Sequence, residues 1–190
     1  MKITFAALAL LACAAADAEP MNATAAEAEI KQFALSCFNA LNQERWLDNA
    51  RCYEPGQLAD FQRLYLARVG EMAPGTVPPE FNAYYKGDIT LDKLKIVEPA
   101  EFFAAFNGGW SSLLAPRGHC KREASLFEVT KIEAQSQGKY QLAGITTARR
   151  TCDGKTEEKS REEYIQLRLQ GGKPAIELPR HFFDLLQAAK

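Results

Sequence analysis

The sequence predicts an α+β fold in which N-terminal helices pack on a curved antiparallel sheet of about four strands, with a C-terminal helix. Three observations support this. The N-terminal half repeats apolar residues at helical spacing, residues 121–178 form a run of strand signals, and Asp153-Gly154 lies between two strand-like runs. Asp-Gly favours a two-residue hairpin turn, because both turn positions need φ > 0.

The hairpin register follows by counting outward from Asp153-Gly154. Charges then match near the tip and apolar side chains match near the base, and a slip of one residue would spoil both matches. The predicted pairs are Cys152 with Lys155, Arg150 with Glu157, Arg149 with Glu158, Leu142 with Ile165, and Tyr140 with Leu167.

The first helix is predicted from a capping box, in which Thr24 and Glu27 satisfy each other's backbone donors. Apolar residues follow on one face over residues 30–41. A second helix is expected over residues 57–69, with Gly70 as its stop. A helical turn is expected over residues 80–85.

Residues 89–97 are interpreted as a short edge strand, because Ile89 and Leu91 alternate as strand residues do. Pro99 is placed where a helix begins. Phe102, Phe103 and Phe106 give that third helix an apolar face, and Gly108-Gly109 is expected to end or bend it.

The predicted strands cover residues 126–134, 139–152, 155–169 and 175–178. Phe127 and Val129 point one way in the first of them and Ile132 points the other way, which indicates a bulge near Lys131. A last helix is expected over residues 180–189.

Length and composition indicate one globular domain. The chain has 190 residues, 47% of them hydrophobic and 25% charged, which excludes a disordered chain. The formal net charge is −1 and no long basic run occurs, which excludes a typical nucleic-acid-binding protein.

The N-terminus predicts export. Lys2 is followed by an apolar stretch over residues 3–12, and Ala16-Asp17-Ala18 provides a cleavage site before Glu19. Residues 1–18 are therefore interpreted as a signal peptide and residues 19–190 as a single domain without a transmembrane segment. The predicted location is periplasmic or secreted.

A second interpretation of the N-terminus is a lipoprotein. Residues 10–13, Leu-Leu-Ala-Cys, resemble a bacterial lipobox, which would place a lipid anchor on Cys13. The residues leave both kinds of processing open.

The cysteine content fits an oxidising compartment. Cys37, Cys52, Cys120 and Cys152 remain after the signal, an even number. Reflecting the chain about Ser136 places Cys120 opposite Cys152, close to the distance that a disulfide needs. Cys37 and Cys52 then pair by exclusion. The alternative is four buried free thiols.

The element order resembles the nuclear transport factor two-like fold, in which a curved sheet wraps around helices to form a cone with an open mouth. The resemblance covers roughly residues 25–178 and rests on element order and strand length, without a motif. The C-terminal helix departs from that pattern, and a plain α+β sandwich or a cystatin-like roll would show the same order. The resemblance implies a fold that is shared by isomerases, dehydratases, polyketide cyclases and non-catalytic binding modules, so it does not determine the function.

No catalytic group is predicted. His119 and His181 are the two histidines, and neither lies beside a candidate pocket carboxylate in the sequence. The chain has no GxSxG elbow, no phosphate-binding glycine loop and no CxxC or HxxxH spacing. We therefore expect no cofactor and no metal site.

Aromatic residues of the helical half are the candidate ligand-binding set, because Trp and Tyr combine an apolar body with a polar edge. The alternative is that they fill the core. The set comprises Trp46, Tyr53, Tyr65, Tyr84, Tyr85 and Trp110.

The hairpin tip is the candidate partner-binding arm. It carries charges on both faces, so it is expected to project as a two-stranded ribbon held at its neck by a Cys120–Cys152 bridge. The alternative is a solvated edge kept soluble by its charges. The candidate residues are Arg149, Arg150, Glu157, Glu158 and Arg161.

The sequence therefore favours an exported, non-catalytic binding protein, with an immunity or inhibitor module as one concrete version. Its partner is an unidentified protein or a small apolar ligand. The alternative is a nuclear transport factor two-like enzyme of isomerase, dehydratase or hydrolase type, acting on a small apolar substrate in the cone. A deep pocket with a carboxylate of raised pKa would favour the enzyme, and a filled interior would favour the binding protein.

Overall fold

The computed structural model describes residues 23–114, 120–123, 125–136 and 138–187. The predicted signal peptide over residues 1–18, the lipid anchor at Cys13 and His119 lie outside the described residues.

The helices lie mainly in the first part of the chain. Their order and bounds match an α+β arrangement with one helix after the sheet. They are α1 (Ala23–Asn42), α2 (Trp46–Ala50), α3 (Pro55–Met72), α4 (Pro79–Tyr84), α5 (Leu91–Ile96), α6 (Pro99–Leu113) and α7 (His181–Gln187).

One antiparallel sheet is formed by β1 (Cys120–Arg122), β2 (Leu126–Ala134), β3 (Lys139–Cys152), β4 (Lys155–Gln170) and β5 (Lys173–Ile176). Both β1 and β2 pair with the same edge of β3, and β4 and β5 follow on its other side. The sheet is therefore four strands wide, and the predicted fold class is confirmed.

The predicted hairpin register is confirmed at all five pairs. Asp153 and Gly154 have φ values of 49° and 76°, as a type I′ turn requires. The predicted bulge is also confirmed, between Val129 and Lys131. The bulge explains the change of phase, because it returns Ile132 to the apolar face that Phe127 occupies.

Two buried clusters hold the elements together. The aromatic core lies among the helices and is built on Phe61, Phe81, Phe102 and Phe103. The sheet core lies between α1 and the sheet; its members include Ile30, Ala34, Cys37, Phe127, Leu142 and Leu167. Tyr53 packs against both clusters, so the helical layer and the sheet are joined through it.

The predicted Cys37–Cys52 disulfide is present, with an S–S distance of 2.12 Å and a Cα–Cα distance of 6.0 Å. It ties the buried face of α1 to the segment that follows α2. Cys152 is disulfide-bonded as well, and Cys120 is its Cα partner in the β1–β3 ladder. The side chain of Cys120 lies outside the described residues, so the Cys120–Cys152 bond remains a prediction that this register supports.

The predicted edge strand over residues 89–97 is wrong, because α5 occupies that place. The Thr90 side chain accepts a hydrogen bond from the Lys93 amide, which caps the helix. Leu94 is fully buried in the aromatic core, and Gln62 donates to the carbonyl oxygens of Leu94 and Val97. Burial of Leu94 and the side-chain cap by Thr90 thus outweigh the short alternation of Ile89 and Leu91.

The predicted stop of a helix at Gly70 is wrong too, as is the predicted end at Gly108-Gly109; a bend at that pair stays a prediction. Helix α3 continues past Gly70 to Met72, and α6 continues past Gly108-Gly109 to Leu113. A Cβ added to Gly109 would lie 1.9 Å from the carbonyl oxygen of Glu80. The absence of side chains at 108 and 109 therefore serves the close contact between α4 and α6. The short elements α2 and β1 were not predicted.

Candidate binding surfaces

The charged ribbon, formed by the turn-proximal halves of β3 and β4, is exposed. All eight residues from 155 to 162 are exposed. Arg149 donates to Glu158 from Nε and Nη2 at 3.1 and 2.7 Å, and Arg150 Nη2 donates to Glu157 at 2.9 Å. These ion pairs cross the two strands of the ribbon, and the hydrogen bond from Arg149 to Glu158 raises the pKa of the arginine.

The ribbon differs from the prediction near its turn. Strand β1 pairs with β3 from Arg150 to Cys152, directly before the turn at Asp153-Gly154. A Cys120–Cys152 bond would therefore lie at the tip of the ribbon, beside the turn. The predicted position of this bond, at the base of the ribbon, is ruled out by this register. Three strands, and not two, meet at the tip.

The two faces of the ribbon differ in charge, because neighbouring residues of a strand point to opposite sides. Arg149 and Glu158 lie on one face and Arg150 and Glu157 on the other. The second face also carries Lys155, Lys159 and Arg161. Arg161 is paired with Glu163, at 2.6 Å. The five predicted partner-binding residues thus divide between two faces: Arg149 and Glu158 on one, and Arg150, Glu157 and Arg161 on the other.

The predicted ligand-binding aromatics are brought together by the structure, but as packing around the aromatic core. Tyr53 lies 5.2 Å from Phe103 and Tyr65 lies 5.7 Å from Phe102, measured between ring centroids. Trp46, Tyr84 and Tyr85 also pack against this cluster, whereas Trp110 at the end of α6 is 41% exposed. None of the six lines either of the two grooves described below. Their ligand-binding role stays a prediction.

A buried carboxyl and a tyrosine with raised pKa lie in this packed region. Glu80 is only 2% exposed, and burial raises the pKa of its carboxyl. The Tyr65 hydroxyl donates a hydrogen bond to it. The Tyr85 hydroxyl donates a hydrogen bond to the Glu101 carboxylate at 3.3 Å. Burial and this nearby carboxylate raise the pKa of Tyr85 to about 12.

The outer face of the sheet, opposite the sheet core, carries a groove of about 520 Å³. Its floor is Ala143, and Lys131 and Tyr164 are the residues directly opposite Ala143 on the neighbouring strands. The bulge in β2 contributes Thr130, whose hydroxyl donates to the Ala143 carbonyl oxygen at 3.2 Å. Gln141, Glu133 and Glu162 also line the groove, which we call the outer-sheet groove.

Sequence analysis did not identify the outer-sheet groove. The available indication was Tyr164, which shares its strand face with Ser160 and Glu162, while Ile165 and Leu167 occupy the apolar face. Tyr164 is 63% exposed. The sequence therefore shows an aromatic residue on the polar face of this strand. That Ala143 lies directly beside it follows only from the strand register.

A second, more open groove of about 460 Å³ lies between α1 and the start of β5. Phe33 gives it one apolar wall. Its other lining residues are Glu29, Gln32, Ser36, Lys173 and Pro174.

Within residues 23–114, 120–123, 125–136 and 138–187, no group of three or more acidic, histidine or cysteine residues could hold a metal ion. No helix in that part of the chain has both the length and the apolar character needed to cross a membrane.

Comparison with known proteins gives structural similarity only. No protein-family model matches the chain, and no curated protein matches it. The structure is similar to a ketosteroid isomerase-like protein from Erwinia carotovora atroseptica SCRI1043, with a TM-score of 0.41 and 13% identity over 78% of this chain and 88% of that one.

Two structures from Catenulispora acidiphila are also similar. One has a TM-score of 0.43 and 14% identity, over 80% of this chain and 87% of that one. The other, in complex with S-DNPA, has a TM-score of 0.38 and 13% identity, over 81% of this chain and 93% of that one. These matches concern the fold alone.

Proposed function

We propose that this chain is an exported, non-catalytic binding protein that contacts a partner protein through its charged ribbon. An immunity or inhibitor module of the periplasm is the concrete version. The observation that carries the proposal is the ribbon itself, an exposed structure with paired charges that reaches beyond the buried clusters.

The cross-strand pairing of side chains along the ribbon supports a binding role. Two arginine–glutamate pairs cross its strands, and Thr147 with Ser160 and Thr151 with Thr156 form hydroxyl contacts of 2.9 Å across the same ladder. Such a surface loses little conformational entropy on binding, which leaves more of the interaction energy for affinity. Charge on both faces also favours a polar partner and fast, salt-dependent association.

The position of the carboxyl with a raised pKa supports a non-catalytic protein. An enzyme would place a carboxyl of raised pKa in a pocket that substrate can enter. The buried carboxyl of Glu80 instead lies among packed aromatic rings, where it accepts a hydrogen bond from Tyr65, and it lines neither of the two grooves described above. The enzyme alternative thus finds no support from this geometry.

Export supports the same class. The N-terminal pattern and the Cys37–Cys52 disulfide both accord with an oxidising compartment. Processing at Glu19 would release a periplasmic or secreted protein, and lipidation at Cys13 would anchor it.

The experiment is capture of a partner from periplasmic extract, followed by titration of the captured protein. The Arg149→Glu/Arg150→Glu variant should bind more weakly than the wild type, and the loss should shrink as salt rises because exposed charges are screened beyond about 8 Å at physiological ionic strength. Arg63→Glu on α3 is the matched control, since Arg63 is also an exposed arginine paired with a carboxylate. Equal affinity of all three proteins would contradict the proposal.

A further inference from the structure

The outer-sheet groove is flanked by carboxylates that lack a cationic partner. Glu128 and Glu162 lie opposite Ile145, one on each side, in the row next to Ala143. Neither forms an ion pair with a lysine or arginine of the described residues, whereas Lys131 is already paired with Glu133. Three carboxylates, those of Glu128, Glu133 and Glu162, thus surround one ammonium group, that of Lys131. This excess of negative charge favours a positively charged ligand.

An exposed aromatic side chain lies at the same place. Tyr164 forms one side of the groove, and its hydroxyl donates to Glu162 at 3.2 Å. This hydrogen bond brings the ring and the carboxylate together at one edge of the groove. An aromatic face attracts a cation within about 6 Å of its centroid, and arginine is the cation found most often in such contacts.

The floor of the groove leaves room for a flat group. Ala143 separates Lys131 from Tyr164, so the Cα atoms on the two sides are two strand spacings apart, roughly 9.6 Å. Ile145, 36% exposed, continues the apolar floor into the next row. A side chain with an apolar stem and a planar charged head matches this combination of floor, ring and carboxylate.

We propose that the outer-sheet groove binds the guanidinium group of an arginine side chain presented by a partner protein. The guanidinium stacks on Tyr164 and donates to Glu162, and the methylene stem lies over Ala143 and Ile145. Guanidinium suits the site better than ammonium, because it is planar, stacks on aromatic rings and matches a carboxylate with two parallel donors.

This site is independent of the ribbon charges. The inference uses none of Arg149, Arg150, Glu157, Glu158 or Arg161, so it stands or fails separately from the partner-binding role proposed for them.

The test is a titration of the isotope-labelled protein with Nα-acetyl-arginine N-methylamide, followed by amide chemical shifts. The neutral analogue, in which citrulline replaces arginine, is the matched ligand. We expect saturable, millimolar shifts at Lys131, Ala143 and Tyr164 with the arginine compound and none with the citrulline compound. Absence of shifts at these positions, or equal shifts with citrulline, would overturn the proposal.

Variants separate stacking from charge. Tyr164→Leu should weaken binding roughly two- to fivefold, whereas Tyr164→Phe should retain it because the ring face remains. Glu162→Gln should weaken binding similarly. Asp60→Asn, which removes an exposed carboxylate from α3, should have no effect. Equal binding by Tyr164→Leu and Tyr164→Phe would show that the ring does not recognise the cation.

A last comparison identifies the source of the arginine. Free L-arginine should bind no more tightly than the blocked compound, because the proposal uses the side chain alone. Much tighter binding of the free amino acid would overturn the assignment to a partner protein and point to a small-molecule site.

Discussion

Gly109 of α6 lies directly against the carbonyl oxygen of Glu80 in α4; a Cβ built on Gly109 would be 1.9 Å from that oxygen. Neither side can yield easily, because the obstacle is backbone and both helices contribute phenylalanines to the aromatic core. This contact sets how closely α4 approaches α6, and with it the burial of Phe81 against Phe102, whose ring centroids are 4.7 Å apart.

Gly109→Ala should therefore lower the free energy of unfolding by about 1–3 kcal/mol, as overpacking of a filled core does. Gly70→Ala is the matched control, since Gly70 is also helical and its Cβ would meet nothing within 4 Å. That substitution should stabilise by roughly 0.5–1 kcal/mol through helix propensity alone. Urea unfolding of both variants measures the difference, and equal effects would show that the α4–α6 contact relaxes freely.

Glu80→Gln should change how stability depends on pH. Burial raises the pKa of Glu80 in the folded protein, so folding favours its protonated form. This contribution to stability is complete below the unfolded pKa of about 4.3 and is lost as pH rises through the folded pKa. Glutamine stays neutral and still accepts a hydrogen bond from Tyr65.

The stability of Glu80→Gln relative to the wild type should thus rise with pH from about 4.3 upward and then level off. Denaturant unfolding at a series of pH values measures it. The same series for Glu71→Gln, at an exposed position of α3, is the control. A flat difference for Glu80→Gln would show that the carboxyl is ionised at little cost in the core.

Replacing both Cys37 and Cys52 by alanine should destabilise the protein by about 2–4 kcal/mol, since the bond closes a loop with a sequence separation of 15. Thermal unfolding of the variant against the oxidised wild type measures the loss. Peptide mapping without reductant should return Cys37–Cys52 and Cys120–Cys152. A Cys37–Cys120 peptide would contradict both the bond geometry and the strand register.

Reversing Arg149 should cost little stability, because an exposed cross-strand ion pair contributes little net free energy in water. The swap Arg149→Glu/Glu158→Arg should recover part of that loss, since it restores the pair of 2.7 Å with exchanged charges but places a carboxylate beside Glu123. If the ribbon binds a partner, the swap should remain impaired in binding. A swap with full affinity would show that the partner does not recognise the sign of these charges.

The N-terminus of the exported protein should lie near Glu19. Mass spectrometry of protein recovered from the periplasm measures this directly. A diacylated N-terminal Cys13 in the membrane fraction would instead establish the lipoprotein interpretation.

The sequence by itself determined the hairpin and the sheet width, for a local physical reason. A two-residue turn at Asp153-Gly154 leaves only one register in which Arg149 meets Glu158 and Leu142 meets Ile165. The β2–β3 pair shows how far such counting reaches. Ala134 pairs with Tyr140, so the centre of the pairing lies at position 137 at this end of the ladder. Cys120 pairs with Cys152, so the centre has moved to position 136 at the other end, as predicted for that pair. Irregular pairing between these points absorbs the difference.

Only the tertiary structure decided the roles of short segments and glycines. Residues 91–96 alternate weakly, and burial of Leu94 with capping by Thr90 makes them helical. A glycine in a helix can mark the end of the helix or a close contact with a neighbouring backbone, and its local propensity does not distinguish the two. At Gly109 the contact with the Glu80 carbonyl oxygen shows that the second role applies. The outer-sheet groove likewise arises because three strands place Lys131, Ala143 and Tyr164 in one row, a relation between distant residues that no local pattern contains.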